Sequence, residues 1–168
     1  MSTKILSPLR NYYNKNDLDF TGALENVNNN KIKINLFCCS TSFDPLELAQ
    51  GNDGNGDELR IIPLPCSGKI DILYLTKAFE SGADGVAVVT CKKGECQFLE
   101  GNLRAEKRVA AVDALLEEIG LGKGRLTMMQ MGDGGIAQIK KEVEDFLRRI
   151  KASPRKSYAG DELELDKE

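Results

Sequence analysis

The sequence predicts an α/β domain built on a four-stranded, mostly parallel sheet flanked by helices. Three observations predict it. Short apolar runs alternate along the chain with stretches of helical periodicity, the pattern of successive strand–helix–strand units. One run, GVAVVT at 85–90, is apolar and β-branched throughout, as a central strand covered on both faces requires. Glycines at 82 and 120 follow directly on two of the helical patterns, where a helix stop is expected.

Taken in order, the first strand is read at 31–38 (KIKINLFC), where alternation gives way to a continuous apolar run. Asp44-Pro45 is a cap followed by a proline at the first helical position, opening a short helix at 46–50. The second strand is 59–64 (LRIIPL), with Pro63 near its end. A helix over 71–81 places Ile72, Leu75 and Phe79 on one stripe. After the third strand at 85–90, a long helix at 103–119 aligns Ala105, Val109, Val112, Leu116 and Ile119. The fourth strand, 125–131 (RLTMMQM), is the weakest pattern, and its three methionines read as core fillers. The last helix, 135–150, aligns Ile136, Ile139, Val143, Phe146 and Ile150. Right-handed crossovers between these strands give the flavodoxin-like order 2-1-3-4.

The domain so defined spans 31–151. Residues 1–30 are polar, rich in asparagine and without helical or strand periodicity, so they read as an N-terminal arm that contacts a partner or is disordered. Residues 152–168 carry three basic and five acidic side chains and read as an acidic, solvated tail. The glycine-rich stretch 51–56 lacks a following Gly-Lys-Ser/Thr and is rejected as a phosphate loop.

Composition then narrows the chemistry. The 168 residues carry 23 Lys and Arg against 26 Asp and Glu, a net charge of −3, which gives no basic field for nucleic acid. No apolar run reaches the roughly 18 residues of a membrane span. Nor is there the apolar core of a signal peptide at the start, so the expected location is the cytoplasm. There is no histidine, which excludes His-based nucleophiles, His general bases and His-ligated zinc or haem. Five cysteines are then the main chemical resource. In a reducing compartment they are not expected to form structural disulfides.

Their placement is informative. Cys38 and Cys39 close the first strand, Cys66 follows the second, Cys91 follows the third, and Cys96 precedes the long helix. In a parallel sheet these points share one edge, the edge at which open α/β sheets bind ligands. Cys66 and Cys96 lie near predicted helix N-termini, where free amides favour a thiolate, and Gly68 and Gly94 leave room for close backbone approach. Four thiolates suit a [2Fe–2S] or [4Fe–4S] cluster and equally an all-cysteine zinc site. All five, Cys38, Cys39, Cys66, Cys91 and Cys96, are candidate cofactor-binding residues. Adjacent strand residues face opposite ways, so Cys38 and Cys39 are not expected to ligate one group together. Arg104, Lys107 and Arg108 open the long helix beside this edge, as a solvated face or a docking patch for a partner.

Several segments in order carry a family resemblance: Cys66-Ser-Gly-Lys-Ile-Asp71, Lys77-Ala-Phe-Glu-Ser-Gly-Ala-Asp-Gly-Val86, Cys91-Lys-Lys-Gly-Glu-Cys96 and Glu100-Gly-Asn-Leu-Arg-Ala-Glu-Lys-Arg-Val109. Together they resemble the delta subunit of methyl-viologen-reducing hydrogenase (MvhD), over about residues 31–150. The resemblance implies a [2Fe–2S] cluster and a non-catalytic electron-transfer role in a hetero-oligomeric oxidoreductase complex. The implied partners are a heterodisulfide-reductase-like flavin and iron–sulfur subunit (HdrA-type) and a further redox enzyme module, in a complex expected to bifurcate electrons. The implied metal ligands are Cys38, Cys66, Cys91 and Cys96, with Cys39 as the alternative to Cys38. The family motif at the first strand continues as Cys-Cys-x-x-Cys, and here Ser42 stands at its third cysteine. A four-cysteine zinc scaffold and a flavodoxin-like ligand-binding module are the rival readings.

Overall fold

The computed structural model of the chain describes residues 31–49 and 57–153. The arm at 1–30, the 51–56 stretch and the tail from 154 onward lie outside the described residues. Within them the elements alternate as read from the sequence: β1 (Lys33–Cys39), α1 (Leu46–Ala49), β2 (Glu58–Leu64), α2 (Ile72–Glu80), β3 (Gly85–Thr90), α3 (Gly101–Glu118), β4 (Leu126–Gln130) and α4 (Gly135–Ala152). A single 3-10 turn, Ser67–Lys69, lies between β2 and α2.

The sheet order is β2-β1-β3-β4 and every pair is parallel. That is the 2-1-3-4 order expected of right-handed crossovers, and the sheet is wholly rather than mostly parallel. Pro63 is tolerated because β2 is an edge strand, where a missing N–H can face outward without breaking a ladder. β3 is central and all six of its residues are buried, as its unbroken apolar run requires.

The pleat divides the core in two. On one face Phe37, Val86, Val88 and Leu126 pack under Leu75 and Phe79 of α2 and Val109, Val112 and Leu116 of α3. On the other, Ile34, Leu36, Ala87, Val89 and Met129 pack under Leu48 of α1 and Ile139, Val143, Phe146 and Ile150 of α4. Full burial of an aliphatic or aromatic side chain of this size contributes about 1.5–3 kcal/mol, so each layer is held mainly by such contacts. Met129 lies in the core, with Met128 and Met131 packed against opposite faces, as fillers.

Some details differ from the sequence reading. Ile72 and Ile119, placed on apolar stripes, are exposed; each sits at an end of its helix. Strand β1 runs on to Cys39. Helix α3 begins at Gly101, two residues before the start expected at 103, and α4 runs on to Ala152.

Candidate metal centre

Four of the five cysteines form a buried group of their own: Cys39, Cys66, Cys91 and Cys96. Each comes from a different place. Cys39 ends β1, Cys66 follows β2, Cys91 follows β3 and Cys96 precedes α3. Parallel strands bring the first three to one sheet edge, and a tight turn brings the fourth back to them. Glycine 94 (φ 84°) makes that turn, and the Glu95 amide donates to the Lys92 carbonyl at 3.1 Å. Space around Gly94 is open, so its backbone conformation, rather than close approach, is what requires glycine.

Cys38 is elsewhere. Its side chain is fully buried on the α4 face, in the aliphatic layer with Ile34, Leu36 and Val89. The sequence reading carried Cys38 among the metal ligands with Cys39 as alternative; the structure groups Cys39, and not Cys38, with the other three sulfurs. The reason is parity. Ile32, Ile34, Leu36 and Cys38 point the same way from the strand, and that side is the aliphatic core. Burial pushes the Cys38 thiol up to about 12, which suits a neutral core thiol.

Backbone and hydroxyl donors surround the other sulfurs. Cys66 caps the 3-10 turn, its Sγ accepting the Gly68 amide at 3.3 Å. At Cys96, burial works against the thiolate, but amides of Asn102, Phe98 and Gly101 outweigh it and hold the thiol below its ordinary range. Helix α3 has no side-chain cap at Glu100, and Cys96 Sγ lies beside its first residue, Gly101, where free amides favour negative charge. At Cys39, burial is likewise outweighed, by the neighbouring Ser42 and Thr41 side chains and the Ser67 and Thr41 amides. The Thr41 hydroxyl lies 3.0 Å from Cys39 Sγ. At Cys91 a backbone hydrogen bond is outweighed, and burial, followed by the Cys96 side chain and the Cys39 charge, pushes the thiol up to about 12. Burial also raises Cys66, opposed by the Gly68 amide. Two of the thiols are thus held below their ordinary range and two above it.

Close backbone contact makes this possible. A Cβ on Gly101 would overlap Cys66 Sγ and come within 3.1 Å of Cys96 Sγ; one on Gly68 would lie 2.7 Å from the Gly101 Cα. The turn after β2 and the start of α3 therefore meet glycine to glycine. Arg108 holds them there, its guanidinium donating to the Gly68 carbonyl at 2.9 Å and the Ile70 carbonyl at 2.6 Å. Sequence reasoning placed Arg108 on a solvated face or a docking patch; it is instead half-buried and turned inward. On the other side, the buried Asn102 side chain donates to the Lys92 carbonyl at 3.3 Å, and Lys92 pairs with Asp133 at 2.5 Å. Asp133 holds the Lys92 ammonium above its usual range, and Lys92 holds Asp133 below. Both contacts anchor the 91–96 loop at Lys92.

Sequence reasoning missed Gly101, Asn102, Arg108 and Thr41 as parts of this site. Three of them lie in the Gly-Asn-x-x-Ala-x-x-Arg segment, which carried the resemblance without a chemical role. Among the described residues no group of three or more Cys, Asp or Glu side chains is arranged to hold a single metal ion, and no helix is long and apolar enough to cross a membrane.

Comparison with known proteins bears on what this cluster is for. The family described as methyl-viologen-reducing hydrogenase, delta subunit, matches residues 17–153. The vhu iron-sulfur subunit of the F420-non-reducing hydrogenase of Methanocaldococcus jannaschii is 44% identical over 92 residues, 55% of this chain and 69% of that protein. Its counterpart in Methanopyrus kandleri is 33% identical over 117 residues, 68% of this chain and 89% of that protein. One subunit of the ferredoxin:CoB-CoM heterodisulfide reductase of Methanosarcina mazei is 29% identical over 92 residues, which is 12% of that larger protein.

Proposed function

This chain belongs to the methyl-viologen-reducing hydrogenase delta-subunit family, and on that basis we propose that it is an electron-transfer subunit holding a [2Fe–2S] cluster on Cys39, Cys66, Cys91 and Cys96. The observation that carries the proposal is the separate buried group of four thiols with backbone amides aimed at its sulfurs. An all-thiolate set without histidine is the ligand chemistry of such clusters. When bound, the cluster would accept and release one electron at a time.

The chain's own residues supply the rest. Gly68 and Gly101 leave the space that side chains would fill. The amides at Cys39, Cys66 and Cys96 offset negative charge that a buried group brings with it. Arg108, half-buried beside the Cys66 turn, adds positive charge and fixes that turn. Ser42, where the family has a cysteine, is not a ligand. No residue here is assigned a substrate: the protein relays electrons in the cytoplasm between a catalytic redox module and an HdrA-type flavin subunit of a hetero-oligomeric, electron-bifurcating complex. Names of relatives support this, since they include hydrogenase iron-sulfur subunits and part of a heterodisulfide reductase.

Four thiolates can also bind zinc, and metal analysis separates the two readings. Chain purified anaerobically should be brown, contain iron and acid-labile sulfide in equal amounts, and give an electron paramagnetic resonance signal on reduction. Colourless protein with stoichiometric zinc and no sulfide would establish the zinc scaffold instead.

A further inference from the structure

Two buried side-chain oxygens among the described residues have no hydrogen-bond partner: the hydroxyls of Ser42 and Ser67. Other hydroxyls in the domain find carbonyls. Ser40 donates to Leu64, Thr76 to Leu73, Ser81 to Lys77, and Ser153 to Arg149. A hydroxyl buried without an acceptor costs about as much free energy as a lost hydrogen bond, so such groups call for an explanation.

Each orphan stands beside a cysteine of the four-thiol group. Ser42 stands three residues after Cys39, its amide donating to the Cys39 carbonyl at 3.3 Å, while its buried hydroxyl has no partner. Ser67 is fully buried, directly follows Cys66, and gives its amide to Cys39. The Thr41 hydroxyl already lies 3.0 Å from Cys39 Sγ, and the two unpartnered serines stand beside Cys39 and Cys66 in the chain. What is missing there is an acceptor. A thiolate bound to iron, or a bridging sulfide, is an acceptor with free lone pairs.

We infer that the Ser42 and Ser67 hydroxyls donate hydrogen bonds to sulfur of the iron–sulfur group at its Cys39 corner and raise its reduction potential. The inference rests on the proposed function above. Reduction adds negative charge to the group, so a donor at sulfur stabilises the reduced form more than the oxidised form. Ser42 then has a role of its own: where the family motif has a thiol, this chain has a hydroxyl, a stronger donor, beside a ligand. The two serines are positioning and tuning residues rather than ligands.

The test uses the full chain, purified anaerobically, with iron and sulfide measured first. Potentials are then read by dithionite titration followed by electron paramagnetic resonance in wild type, Ser42→Ala, Ser67→Ala, the double variant and Ser42→Thr. Ser40→Ala, whose hydroxyl serves a carbonyl, is the control. Each lost hydroxyl should lower the potential by about a tenfold change in the reduction equilibrium, 59 mV for one electron. The double variant should fall further, while Ser42→Thr and Ser40→Ala stay near wild type. Loaded variants with wild-type potentials would overturn the inference, as they would if buried water satisfied these hydroxyls. Should Ser67→Ala lose the cluster, the Ser42 pair decides: an unchanged Ser42→Ala potential overturns it. Wild-type chain without iron and sulfide would instead be a failure of the proposed function.

Discussion

Single residues decide the chemistry of the site, and the adjacent pair at the end of β1 shows how. Cys38 lies among aliphatic side chains, and Cys39 lies among sulfurs, hydroxyls and amides. The same thiol group is therefore neutral in one position and prepared for ionisation in the next. This makes a pH prediction for the iron-free, reduced chain. Only the thiolate reacts with iodoacetamide. Raising the pH through 9 ionises Cys39 and Cys96 first, because their thiols are held low, whereas Cys38 and Cys91, pushed up to about 12, stay protonated. Timed alkylation read by peptide mass spectrometry should label Cys96 and Cys39 early and Cys38 last. Early labelling of Cys38 would contradict its placement. The sequence already held the parity that separates the pair, in the alternation Ile32, Ile34, Leu36, Cys38. What it lacked was the face on which the other cysteines would gather, since that depends on loops rather than on strand periodicity.

At the scale of elements, the site depends on the 3-10 turn and α3 touching through Gly68 and Gly101, with Arg108 as the clasp. Gly101→Ala puts a methyl group onto Cys66 Sγ, and overpacking of this kind costs about 1–3 kcal/mol. It should displace a ligand sulfur and abolish iron binding while far-ultraviolet circular dichroism stays native. Arg108→Gln removes charged hydrogen bonds to two carbonyls, each worth about 1.5–3 kcal/mol when the donor is ionised. Chemical denaturation should show that loss, with reduced iron content, whereas Arg104→Gln, exposed and paired with Glu100 at 3.9 Å, should cost under about 1 kcal/mol. The exact start of α3 was not legible in advance because it carries no side-chain cap. Strand β3 was legible, because a strand covered on both faces must be apolar throughout, and its six residues are.

The whole molecule explains why four cysteines spread along the chain can meet. A parallel sheet in the order β2-β1-β3-β4 puts the ends of β1, β2 and β3 side by side, and two aliphatic layers hold that sheet rigid from both faces. The topology was readable from run lengths and helix stops, and so was the convergence of cysteines on one edge. Everything proposed for the protein requires that this edge be an iron–sulfur centre ligated by Cys39 and not by Cys38. The deciding comparison is between Cys38→Ser and Cys39→Ser in the anaerobically purified chain, each assayed for iron, sulfide and the electron paramagnetic resonance signal of the reduced protein. Cys38→Ser should keep wild-type iron and an unchanged signal, losing only about 1–3 kcal/mol of stability for a buried hydroxyl, and Cys39→Ser should lose the cluster or alter its signal. A Cys39→Ser protein with wild-type iron and signal, beside a Cys38→Ser protein without them, would contradict it.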